Sequence, residues 1–143
     1  MHNQEINIYR EIQRNTEMGM KAIDSISDKV FDDSLAKLIA KQSSEYAGIR
    51  NRAYDKLLEA GAEPYRSSHM ENLMLTGGIY LNTLLNTSTA HIAELMIKGS
   101  NMGIVEMNKV LNHNEDALRE ATEMAEGLLS LEAKSMESLK KYL

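Results

Sequence analysis

STAHIAELMIKGSNMGIVEM, residues 88–107, is the stretch on which the reading of this chain turns. Ser88 can cap a helix, and the apolar residues behind it recur at helical spacing. His91 and Glu94 stand three apart, so they share one helix face. Gly99 and Gly103 sit in the middle, where each costs roughly 1 kcal/mol relative to Ala. The stretch is therefore either one wall of a site or a helix pressed closely against its neighbours.

Working outward, the preceding segment HMENLMLTGGIYLNTLL, residues 69–85, is apolar on most sides and broken at Gly77-Gly78. It predicts a short, kinked helix in a long connection. Upstream of it, Gly61 ends a helix and Pro64 prevents its continuation. That helix starts after Asp32, which can cap it. Its seam reads Leu35, Leu38, Gln42, Tyr46, Ile49, Ala53 and Leu57, with Glu45 beside Tyr46. A first helix from about residue 4 to about residue 30 carries Tyr9, Ile12, Thr16, Gly19, Ile23, Ile26 and Val30 in steps of three and four. Its seam is apolar at both ends and weak at Thr16 and Gly19. Pairing the two helices about Phe31 sets that weak middle against Gln42 and Glu45.

Downstream, Asn112-His113-Asn114 breaks the pattern, and Glu115-Asp116 favour the start of a last helix. Its seam is Leu118, Ala121, Ala125, Leu128, Met136, Leu139 and Leu143. Short joins make the first two helices antiparallel, and the last two likewise. The long connection lets the second and third run parallel. These features predict an all-α fold in a single domain over residues 1–143. It is a ferritin-like four-helix bundle whose long middle crossover contains a short extra helix.

The 143 residues are 43% hydrophobic and 26% charged, with a net charge of −5. Such proportions suit one globular core. The acidic balance weighs against nucleic acid and against an anionic membrane surface as partners. Cysteine is absent, which excludes disulfides and thiolate chemistry. No apolar run reaches the roughly 20 residues of a membrane span. The start, MHNQEINIYREIQ, has no basic segment followed by an apolar one. The expectation is a soluble, cytoplasmic protein.

A two-metal carboxylate centre is the sharpest function such a bundle could carry. It needs Glu from two helices and Glu-x-x-His from the other two. The chain contains no Glu-x-x-His, and His91-x-x-Glu94 has the reverse order. Glu17, Glu45, Glu94, Glu123 and Glu132 could supply oxygens, but they are scattered in phase relative to the seams. Acidic residues on helices mostly belong to solvated faces. Glu45, His91 and Glu94 are the metal-ligand candidates that remain, and no metal or other cofactor is expected. The ten Met read as adaptable core filling rather than a copper site. No nucleophile elbow or phosphate loop is present. Gly99 level with Gly127 suggests a narrow waist, with room for a ligand as the competing reading.

Four stretches, RNTEMGMKAIDSI (14–26), KQSSEYAGI (41–49), LNTLLNTSTAHIAELMIKGSNMGI (81–104) and the closing LKKYL, resemble ferritin-like families of spore-forming bacteria. These families include ones related to spore coat proteins, and their function is unknown. The resemblance implies the bundle and brings no functional residue with it. The expected function is non-enzymatic. It is expected to act through protein–protein contacts as a homodimer or with another protein, in a spore- or stress-associated setting. The apolar segment 69–85 is the expected self-association surface. The alternative is a divergent metal-binding, di-metal oxidase-type bundle.

Overall fold

A computed structural model describes residues 3–66 and 86–143. Among them are four long helices: α1 (Asn3–Ile26), α2 (Asp33–Glu59), α3 (Thr89–Asn112) and α4 (Arg119–Leu139). Short 3₁₀ turns, Ser27–Lys29 and Lys140–Tyr142, follow α1 and α4. No described residue lies in a strand. The chain is thus an all-α bundle. The kinked helix expected over 69–85 lies outside the described residues.

The helix ends follow from local chemistry. Asp32 caps α2 by accepting from the Leu35 N–H at 2.8 Å. Ser88 caps α3 by accepting from the His91 N–H at 3.3 Å. Gly61, at φ +66°, takes the left-handed conformation that turns the chain out of α2. One boundary differs from expectation. Glu115 and Asp116 lie in the turn, and α4 starts only at Arg119. Its first turn is served from α1 instead: Glu5 Oε2 accepts from the Leu118 N–H at 3.1 Å, and Gln4 Oε1 accepts from the Asp116 N–H at 2.9 Å. A carboxylate at a helix N-terminus meets both the unpaired N–H groups and the positive end of the helix dipole.

These contacts also fix the helix directions. The start of α1 meets the end of α3, since Asn7 Nδ2 donates to Asn114 Oδ1 at 3.0 Å. Glu17 near the middle of α1 pairs with Arg50 of α2 at 2.9 Å, and Arg10 Nε donates to the Glu63 carbonyl beyond the end of α2. The start of α2 meets the end of α4 through the Ser34 and Tyr142 hydroxyls, 2.8 Å apart. So α1 and α4 run one way, and α2 and α3 run the other. The parallel second and third helices expected from the sequence are present.

The core has two apolar halves and a polar waist. One half holds Ile8, Tyr9, Ile12, Leu57, Met107 and Leu128, all at most 1% exposed. The other holds Ile26, Leu35, Ile39, Ile92 and Leu139. Between them, at one level, lie Asn15 and Thr16 of α1, Gln42 and Tyr46 of α2, Ser100 of α3 and Glu132 of α4, all buried. Some predicted seam positions change. Ile39 is more buried than Leu38, while Leu118 and Leu143, expected on the last seam, are 59% and 64% exposed. No helix among the described residues is long and apolar enough to cross a membrane.

Candidate functional site

Among the described residues, the waist is where polar side chains enter the core from all four helices. Its centre is Glu132, 2% exposed. The Tyr46 hydroxyl donates to Glu132 Oε1, and Gln42 Nε2 donates to that hydroxyl at 2.9 Å. Gln42 Nε2 also lies 3.4 Å from Ser100 Oγ. Asn15 Nδ2 donates to the Gly103 carbonyl at 2.9 Å. Thr16 is satisfied within its own helix, bonding the Ile12 carbonyl at 2.7 Å. Gln42 Oε1 is buried and has no hydrogen-bond partner among the described residues.

Two glycines make the room. A Cβ on Gly19 would stand 2.6 Å from Tyr46 Cε2, so only glycine lets the ring lie against α1. A Cβ on Gly103 would stand 3.0 Å from Asn15 Oδ1 and 3.1 Å from Glu132 Oε2. By contrast, a Cβ on Gly48, Gly99 or Gly127 would meet nothing within 4 Å, and all three are exposed. The expected narrowing at Gly99 and Gly127 is therefore corrected. Gly99 adjoins Ser100 at the level of the waist but faces outward, whereas Gly103 faces Asn15 and Glu132. What approaches that glycine is side-chain polar groups.

Burial governs the electrostatics here. It pushes the Glu132 carboxyl up to about 7, against the lowering effect of the Tyr46 and Ser100 hydrogen bonds. It also drives the Tyr46 hydroxyl far above its ordinary value, with the neighbouring Glu132 charge adding to the rise. One carboxyl and one phenol, ringed by neutral amides and hydroxyls, can hold and pass a proton.

The metal-ligand candidates from the sequence are not brought together. Glu45 is exposed on α2. His91 Nδ1 and Glu94 Oε2 are 3.7 Å apart on the half-exposed start of α3. Glu94 also pairs with Lys98 at 3.1 Å, and that hydrogen bond holds its carboxyl below the ordinary value. Glu123 is exposed and pairs with Arg119 at 2.7 Å. No group of three His, Asp or Glu among the described residues is placed to hold a metal. The waist offers one carboxylate, already bonded to Tyr46, so the residues present do not fit a two-metal carboxylate centre.

Glu132 is the residue that the seam reading passed over. The signal was a gap: Ala125 and Leu128 are followed on the same face by position 132, four residues on, where an apolar residue was expected. A second polar concentration lies at the surface between α2 and α4. This groove of about 480 Å³ is lined by Arg52, Asp55, Lys56, Glu59, Glu120 and Glu123 over Met124 and Gly127. Lys56 Nζ lies 2.5 Å from Glu120 Oε1, and these solvated pairs satisfy one another.

Compared with protein families, curated proteins and solved structures, the chain matches none.

Proposed function

We propose that the chain is a ferritin-like helical bundle without enzymatic activity, that it acts in the cytoplasm through protein–protein contacts as a homodimer, and that its setting is spore- or stress-associated. The observation that carries the non-enzymatic reading is the waist. The level at which a bundle of this topology would hold a reaction centre is filled by Tyr46, Gln42, Asn15 and Ser100 around a single carboxyl. The parallel α2 and α3 support the ferritin-like reading, and the stretches 14–26, 41–49 and 81–104 support the setting.

Exposed apolar groups support the contacts. Phe31, the only Phe in the chain, is 80% exposed. Leu143, 64% exposed, lies at the same end of the bundle, where Ser34 and Tyr142 meet. Exposed apolar groups at one end of a bundle are the kind of surface a two-fold dimer covers. Sedimentation equilibrium on the whole chain tests this. A dimer at high micromolar concentration is expected, and Phe31→Ser with Leu143→Ser shifts it to monomer. A strictly monomeric wild-type chain contradicts the reading.

A further inference from the structure

The waist contains an ionisable group with no counter-charge among the described residues. The groups that face Glu132 are Asn15 from α1, Tyr46 from α2, and Ser100 with the Gly103 backbone from α3. Ser135, one turn along α4, is neutral as well. Tyr46 is the one titratable member of this set, and none is cationic. A carboxylate in such a place relies on neutral donors alone. Tyr46 supplies one, and its orientation is set from behind, because Gln42 Nε2 donates to the same oxygen at 2.9 Å.

The opposite polarity is also available. A protonated Glu132 carries its own hydrogen and can donate to the Tyr46 oxygen. The Tyr46 hydroxyl then needs an acceptor. Gln42 Oε1 is that acceptor: it is buried, lacks a partner among the described residues, and belongs to the amide already touching Tyr46. Half a turn of the amide about its last bond exchanges Nε2 for Oε1. The row Glu132–Tyr46–Gln42 therefore has one polarity for each charge state of Glu132.

We propose that Glu132, Tyr46 and Gln42 form a proton-linked switch at the centre of the bundle, in which uptake of one proton by Glu132 tightens the four helices and its loss loosens them. The direction follows from linkage. Burial raises the folded carboxyl from its ordinary 4.5 to about 7. Between those values the folded chain binds a proton that the unfolded chain has lost. Stability from this group is full below the lower value, falls as pH rises through the window, and is level above it. The folding equilibrium weakens by about two orders of magnitude across the window.

Urea unfolding of the full chain from about pH 4 to about pH 8, for wild type and Glu132→Gln, isolates this group from every other titration. The wild-type equilibrium is expected to fall by about two orders of magnitude relative to the variant. Parallel profiles overturn the proposal. The carboxyl ¹³C shift of Glu132 in the wild-type chain gives a second readout that does not depend on the variant folding. An inflection near neutrality is expected, and one in the ordinary carboxylate range overturns the proposal. Tyr46→Phe removes the donor to the anion and moves that inflection upward. An unchanged or lowered inflection contradicts the role of Tyr46.

Discussion

At the scale of single residues, the glycines separate two physical roles that look alike in sequence. Gly19 and Gly103 sit where a side chain would strike the waist, and Gly48 and Gly127 do not. Tyr46 cannot give way at Gly19, because Gln42 and Glu132 hold its hydroxyl. Gly19→Ala should therefore destabilise the chain by about 1–3 kcal/mol, the usual cost of overpacking. Gly48→Ala and Gly127→Ala should stabilise it by about 0.5–1 kcal/mol, since alanine restricts the unfolded chain and suits a helix. Urea unfolding midpoints check both signs. A stabilising Gly19→Ala would mean that the ring does not lie where it is placed. The sequence showed five glycines inside helices but could not say which were crowded. Crowding depends on residues that meet from other helices, and these are far away in the chain.

At the scale of elements, the helix caps were legible and the polar waist only half so. Asp32, Ser88 and Gly61 act through neighbours within a few residues, so their roles can be read locally. Asp32 also yields a pH prediction opposite in sign to that of Glu132. The Leu35 N–H and the Ser34 side chain hold its carboxyl below the ordinary value. Its stabilising effect is thus present at neutral pH and is lost as pH falls through the folded value. Asp32→Ala should lower the melting temperature at neutral pH, and the gap to wild type should close in acid. A gap that is constant with pH would mean that the cap bond does not form. The start of α4 was misread because its partners, Gln4 and Glu5, lie at the opposite end of the sequence. Glu132 was set aside for a related reason. A carboxylate on a helix is usually solvated, and nothing near it in sequence announces Tyr46, Asn15 or Ser100. Tyr46 was placed on the seam correctly, while its neighbour Glu45, set against the first helix in the same reading, is exposed.

At the scale of the whole molecule, two apolar halves give the bundle its stability, and the waist gives it register. Sliding one helix along another by a turn would leave Glu132 without Tyr46, or Asn15 without the Gly103 carbonyl. A buried polar group that loses its partner costs about 1–3 kcal/mol, so the waist penalises misaligned packings more than it adds to the aligned one. The four long helices among the described residues, their antiparallel pairs and the parallel α2 and α3 were legible from hydrophobic period and connection length. With one carboxylate, already bonded to Tyr46, and no cluster of three His, Asp or Glu among the described residues, the waist is expected to hold no metal. Anaerobic calorimetric titration of the chelator-free protein with iron(II), alongside Glu132→Gln, tests it most directly. No saturable binding to either protein is expected. Stoichiometric iron binding by the wild type that disappears in Glu132→Gln would contradict it.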